Sequence, residues 1–435
     1  MVGSKPLLAF FVICTLIRFT PVYAGEQAES MFDRMEIDVH GFVDLRAGTR
    51  ITEDAYEKDT SLLESRLQLD LNRVGDIVTL QVRADFLYDD IPKETDLHLE
   101  DGTGFIDLRE ANILFSPFDL MDTKIGRQIL TWGTGDLLFL NDLFPKDWQS
   151  FFCGRDVEYL KAPSDALFIS IFPDFANIDL AFTPRFDPDR FISGERISYY
   201  NPVLGRRSGR DAIVEDRKPD DWFKDSEISL RISRDISGYE LAFYGYNGFW
   251  KSPAGMDPVR QEAIFPDLTV FGASIRGQLK NGLFNLETAY YNSRDDTSGD
   301  NPFIPNSEIR LLAGYEQELA RDFSGALQYY LEYMKDYGNY RAALPAGNNS
   351  KDKDRHVLTL RLTKLALNQN LTLSLFCYYS PSDKDAYFRP NIKYKLSDSL
   401  MITAGGNFFT GSDDYTFFGQ FEKNSNIYTG VRYSF

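Results

Sequence analysis

Charge is the chemistry this sequence offers, and it arrives at strand spacing. Arg46, Arg66 and Arg83 fall on the polar parity of three consecutive alternating stretches, and Arg109 and Arg127 extend the row. Arg231, Arg276, Arg310, Arg361, Arg389, Lys393 and Arg432 repeat the placement further along. Asp44, Glu64, Asp70, Asp85, Glu110, Glu287, Glu308 and Glu332 accompany them. Rows of this kind select solutes by charge and width when they line a water-filled space, or simply brace its wall with ion pairs. Between two of the stretches, 132–165 carries WGTGDLLFLNDLFPKDWQSFF, too apolar and aromatic for a solvated loop. Leu137, Leu138, Leu140, Leu143, Phe144, Trp148, Phe151 and Phe152 need burial, either within the molecule or against a second subunit. The same segment offers the acids Asp136, Asp142 and Asp147.

Catalytic chemistry has little to work with. The three histidines, His40, His98 and His356, stand apart, and no GxSxG, HExxH or CxxC pattern occurs. No enzymatic activity and no cofactor are expected. The acid-rich loops 292–301 (NSRDDTSGDN) and 411–414 (GSDD) lack the ordered ligand spacing of a calcium loop, so no metal site is assigned. Their acids still offer a way to bridge anionic lipid phosphates through divalent ions. Cys153 and Cys377 are far apart and form neither a metal pattern nor a disulfide framework.

The elements that must hold these rows are strands. In 37–49, Ile37, Val39, Gly41, Val43, Leu45 and Ala47 face one way while Asp38, His40, Asp44 and Arg46 face the other. The pattern repeats over 63–72, 78–88, 105–116, 123–131, 166–172, 177–183, 227–233, 239–246, 269–279, 283–291, 308–318, 323–333, 356–365, 371–379, 386–394, 400–409 and 426–435. Stretches 157–161 and 415–421 are weaker candidates. The connections alternate long and short, the short ones turn-like, as at Lys280-Asn281-Gly282. About 18 strands, an even number, and one-sided long loops predict an all-β transmembrane barrel. The absence of any linker or composition break favours one continuous domain.

Composition agrees. Aromatics make up 14% of the chain, with 24 Tyr and 35 Phe, yet mean hydropathy is negative. Strands with one apolar and one polar face produce that combination. Residues 1–24 read as a secretory signal peptide, with Lys5, an apolar core at 7–17 and a Val22-Tyr23-Ala24 cleavage site. The mature domain is expected to span 25–435. A net charge of −18 argues against a nucleic-acid partner.

The last stretch, NIYTGVRYSF, alternates to a terminal aromatic, Phe435. It resembles the closing strand of Gram-negative outer-membrane β-barrels, and the whole chain resembles the porins of that class. The run Gly126-Arg127-Gln128 with Trp132-Gly133 is similar to a motif of alginate-export-type porins. The resemblance implies an outer-membrane location, contact with lipid and lipopolysaccharide, and recognition of the Phe435 strand by the barrel assembly machinery. It implies passive diffusion of small polar solutes or ions, with homo-oligomers an option. It also implies that 133–165, as the third long loop, folds inward as a constriction. Asp136, Asp142, Asp147 and Trp148 would then face a basic wall of Arg46, Arg66, Arg83 and Arg127. A substrate-specific channel, or a sleeve for a partner protein or exported polymer, remains open at this point.

Overall fold

The computed structural model describes residues 36–91, 97–98 and 103–435. The expected signal peptide, 1–24, and the side chain of His98 lie outside that description. Among the described residues eighteen strands join in chain order into one closed antiparallel sheet. They are β1 (Asp38–Arg50), β2 (Thr60–Val74), β3 (Val78–Asp89), β4 (Ile106–Phe118), β5 (Met121–Gln128), β6 (Ser164–Ile171), β7 (Asn177–Thr183), β8 (Glu227–Ile236) and β9 (Tyr239–Phe249). The circuit continues through β10 (Asp267–Leu279), β11 (Gly282–Ser293), β12 (Glu308–Ala320), β13 (Phe323–Met334), β14 (Asp354–Ala366), β15 (Leu371–Ser380), β16 (Asp385–Lys395), β17 (Leu400–Gly411) and β18 (Asn426–Ser434).

Closure is visible in the register. β18 returns to β1 with Phe42 opposite Ser434 and Arg50 opposite Asn426. The pairing extends to Phe435, whose backbone N–H donates to the Gly41 carbonyl at 3.0 Å while its own carbonyl accepts from Gly41 at 3.1 Å. A closed sheet leaves no edge strand with unpaired backbone groups.

Side-chain parity explains why these stretches are strands. On β3, Val78, Leu80 and Val82 are exposed on the outer face, and Gln81, Arg83 and Asp85 point inward. On β18, Ile427, Val431 and Tyr433 face out and Asn426 and Tyr428 are buried inside. A one-residue slip would exchange the two sets, so the apolar exterior fixes the register. Short turns close one end of the barrel. At the β10–β11 turn Leu279 pairs with Gly282, and Lys280 takes a positive φ of 55°.

Two of the weaker strand candidates are not strands. Residues Val157–Leu160 form a 3-10 turn, and a second runs over Gly419–Asn424. In the first, the consecutive residues Tyr159 and Leu160 are both buried, which an alternating strand cannot arrange. β5 stops at Gln128, short of the expected 131. Beyond it Leu130 turns into a buried cluster with Phe144, Ala166 and Ala181.

Candidate functional site

The inner wall is built from ion pairs that the strand repeat sets up locally. Side chains two apart share a face, and an acid-x-Arg spacing recurs on β1, β2, β4 and β12. It gives Arg46–Asp44 at 3.0 Å, Arg66–Glu64 at 2.9 Å, Arg109–Asp107 at 3.6 Å and Arg310–Glu308 at 2.8 Å. Neighbouring strands extend the pairs sideways. Arg432 on β18 reaches Asp44 at 2.9 Å, and Arg66 also pairs with Asp85 of β3. Arg83 bridges Asp70 at 2.5 Å and Glu110 at 2.9 Å. Arg127 holds Asp165 of β6 through two nitrogens, at 2.9 and 2.7 Å.

The connection 129–163 crosses the barrel interior. Thr134 and Gly135 donate backbone N–H groups to the Glu287 carboxylate of β11, the latter at 2.8 Å. Asp136 N–H donates to Gln328 at 2.7 Å, and its carboxylate pairs with Arg361 of β14. The Leu137 carbonyl accepts from Tyr378 at 2.8 Å, and the Leu140 carbonyl from Tyr291 at 2.5 Å. Asn141 passes so close to Gly272 on β10 that a Cβ there would collide with its side chain.

A short helix, α1 (Trp148–Cys153), then turns the chain toward the opposite wall. Asp147 caps it by accepting from Ser150 N–H at 2.7 Å, and Gly154 ends it in the left-handed region, φ 104°. Past α1 the contacts pass to β16, β18 and β1–β4. Asn426 donates to the Phe152 carbonyl at 3.2 Å and Arg46 to the Gly154 carbonyl at 3.1 Å. Arg155 pairs with Glu64 at 2.6 Å and Asp89 at 2.9 Å, Asp156 with Lys393 at 2.7 Å, and Glu158 with Arg432 at 2.8 Å. The Tyr159 ring lies 4.0 Å below the Arg66 guanidinium. Burial opposes the Asp156 carboxylate, but Lys393 and Arg46 outweigh it and hold its pKa down to about 2.

The apolar residues of this connection find burial inside the barrel. Leu140, Phe151 and Phe152 join a cluster with inward residues of β10 to β17, among them Val270, Leu312, Val357 and Tyr387. On that side apolar positions therefore interrupt the expected polar inner face. Around Phe152 the rings of Tyr387, Phe409 and Phe421 stand at 5.5, 5.3 and 5.1 Å, the first two edge-on. Trp148 packs on Phe139, Phe151 and Phe152 and donates to Asp189 at 3.0 Å.

The structure redistributes the expected loop-to-wall pairings. Asp136 meets Arg361, Asp142 meets Lys146 at 2.9 Å within its own loop, and Asp147 meets Arg190 at 3.4 Å. None of the three pairs with Arg46, Arg66, Arg83 or Arg127. Those four are satisfied mainly by wall acids, Arg46 and Arg66 through the acid-x-Arg repeat on their own strands and Arg83 and Arg127 through acids of the neighbouring strands.

Loop 184–226, which the sequence presents only as a long polar connection, docks on the same assembly. Asp189 accepts from Lys146 N–H at 2.7 Å. Arg190 pairs with Asp107 at 2.9 Å, and Arg196 with Asp89. Ser198 and Asn424 exchange backbone-to-amide hydrogen bonds of 3.1 and 2.9 Å. Asp187 is buried beside Glu227, which pushes its carboxyl up to about 6. Asp107, Asp89, Arg155, Arg190 and Arg196 escaped the sequence reading. The acid-x-Arg repeat would have pointed to Asp107; nothing local marks the others.

Between these loops and the aromatic wall lies a cavity of about 400 Å³, lined by residues of 137–152, by Phe191, Trp250 and Phe417, and by Tyr330 and Tyr378 of the wall. Arg310 and Arg355 stand on its wall, paired with Glu308 at 2.8 Å and with Glu332 at 3.1 Å. Among the described residues no group of three His, Cys, Asp or Glu is placed to hold a metal ion. Asp296, in one acid-rich loop, accepts instead from the backbone N–H groups of Gly299 and Asn301, both at 2.8 Å.

No family model matches the sequence, and no curated protein matches it. Among solved structures, Pseudomonas aeruginosa OccK11 (OpdR) aligns over 92% of this chain and 96% of its own, with a TM-score of 0.53 at 8% identity. Salmonella typhi OmpF, in complex with daunomycin, aligns over 92% and 97%, with a TM-score of 0.43 at 9% identity. A triple mutant of the Rhodopseudomonas blastica porin aligns over 92% and 100%, at 0.40 and 11%. At such identities the likeness to OccK11 is one of fold alone, an antiparallel β-barrel, here of eighteen strands.

Proposed function

We propose that this chain is an outer-membrane porin through which small polar solutes or ions diffuse passively. The observation that carries the reading is the pairing of two faces. The exterior is an apolar band, with Leu80, Phe243, Phe271 and Leu327 exposed, and the interior wall is lined with charge. An apolar exterior of that extent needs lipid rather than water. The connection 129–163 narrows the interior, and Asp136, Asp142, Asp147 and Trp148 act at that constriction through Arg361, Lys146, Arg190 and Asp189. Arg46, Arg66, Arg83 and Arg127 form the opposite wall. No cofactor is consumed and no bond is made or broken. The reading includes export by the 1–24 signal, insertion through the strand ending at Phe435, and lipopolysaccharide around the long loops.

The test is reconstitution of the refolded protein in a planar lipid bilayer under a salt gradient. Ohmic unitary steps with a reversal potential favouring cations are expected, given the net charge of −18. Electrical silence from protein shown to be folded by heat-modifiable gel mobility would sink the reading. A second reading, a substrate-specific channel, is favoured by one observation: the aromatic cavity against 129–163 is not a surface that a general aqueous pore requires.

A further inference from the structure

We infer that the cavity between 129–163, the long loops and the aromatic wall is a binding site for an uncharged aromatic molecule. The inference deepens the substrate-specific reading and rests on it.

Cationic charge on the wall is already spent, and the Asp189 carboxylate is occupied by neutral donors. Seven charged side chains line the cavity, and each has a partner within the protein. Lys146 pairs with Asp142 at 2.9 Å and Lys251 with Glu227 at 2.5 Å, while Arg310 and Arg355 hold their own carboxylates. An anionic ligand would enter without a free counter-ion, or would have to break a buried pair and strand one of its members, and a cationic one would have to displace the Trp148 and Ser252 donors from Asp189. A neutral ligand meets no such cost.

The remaining wall is apolar and rich in rings. Trp148 and Phe139 stand edge-on at 6.1 Å, and Trp250 lies 5.6 Å from Tyr291. Rings offer faces and edges that a flat aromatic guest can match, a gain beyond area burial that an alkyl chain does not receive. A volume of about 400 Å³ falls in the range of small-molecule sites. The site lies where a solute arriving from the long-loop end meets the 129–163 segment before the charged wall. A guest held there would pass on only when that contact loosens.

The experiment uses the full mature chain in lipid nanodiscs, with 4-fluorophenol as probe, neutral at pH 7, followed by 19F NMR. Empty nanodiscs give the non-saturable partitioning background. A saturable component is expected, with 4-fluorobenzoate and 6-fluorohexanol each weaker by roughly tenfold or more. Ser252→Trp, placed on the cavity wall, should abolish the saturable component. Phe417→Ala, at an exposed lining position, should weaken it severalfold and covers the case in which the first variant does not fold. The inference is overturned by the absence of a saturable component. It is equally overturned by a comparator that binds as tightly as the phenol, or by folded variants that bind like wild type. A barrel that conducts in bilayers but shows no saturable binding loses this inference alone. One that binds the probe but never conducts loses the pore reading alone.

Discussion

The two sides of the barrel interior meet the same loop by different means. Along β1–β4 and β18 the wall is an ion-pair lattice, in which Arg46, Arg66 and Arg432 hold strand acids and pass contacts on to Gly154, Tyr159 and Glu158. Along β10 to β17 it is a bed of side chains such as Val270, Leu312, Tyr387 and Phe409, into which Phe151 and Phe152 sink. Buried ion pairs offset much of their own desolvation, and they fix geometry more surely than they add stability. Packed rings add stability through burial and tolerate small shifts. The lattice thus sets where 129–163 sits, and the aromatic side keeps it there.

The largest loss of stability is expected where one partner of a buried pair is removed. Arg155→Met leaves Glu64 and Asp89 facing fewer cations, and the expected cost is about 3–5 kcal/mol, read as a lowered denaturant midpoint of the folded barrel. Arg196 also pairs with Asp89, so the figure belongs to the network rather than to one bond. On the aromatic side, Phe152→Leu should cost about 1–2 kcal/mol, because a smaller apolar group still fills most of the space. A negligible cost for Arg155→Met in a folded barrel would mean that the ion-pair lattice does not hold the loop.

Acid separates the two kinds of contact, because buried carboxylates titrate and packed rings do not. The folded-state value of Asp156 is held down to about 2, below that of a free carboxyl, so its contribution is full above about 4 and is lost as the pH falls through 2. The magnitude is about 2 kcal/mol. Asp187 has the opposite sign. With a folded value raised to about 6 by burial and Glu227, it favours the folded state below about 4 and loses that contribution as the pH rises through 6. Midpoints measured from pH 7 to 2 should therefore lose the wild-type step between pH 4 and 6 in Asp187→Asn, and the step below pH 4 in Asp156→Asn. The smallest effect is expected from salt. Raising ionic strength should lower the stability of the wild type by well under 1 kcal/mol, because most of these pairs are buried from screening.

Most of the fold was legible because alternation is a local property. All eighteen strands are visible as two-residue periods, and 177–183 coincides with β7 to the residue. The interior was less legible. Val270, Leu312 and Val357 make inward positions of β10, β12 and β14 apolar, and parity alone does not say what covers them. The answer is a segment more than 100 residues away in sequence. Asp136 and Arg361 are likewise separated by 225 positions, and no local signal joins them. The acid-x-Arg repeat on four strands was local and readable, and it explains why Arg46 and Arg66 find partners on the wall before any loop acid arrives. The docked part of 184–226 was hidden for the reverse reason. Its composition is polar, and its burial depends on pairs such as Arg190–Asp107 that only the closed barrel brings together.

The central claim is that 129–163 narrows a conducting barrel and is held in place partly by ion pairs to its walls. Single-channel recording of wild type beside the triple variant Asp136→Asn, Asp156→Asn and Glu158→Gln tests it most directly, since these changes cut the pairs to Arg361, Lys393 and Arg432. Ohmic steps are expected from both proteins, with a larger and noisier unitary conductance in the variant. Identical steps from two folded barrels, or no steps from the wild type, would contradict it.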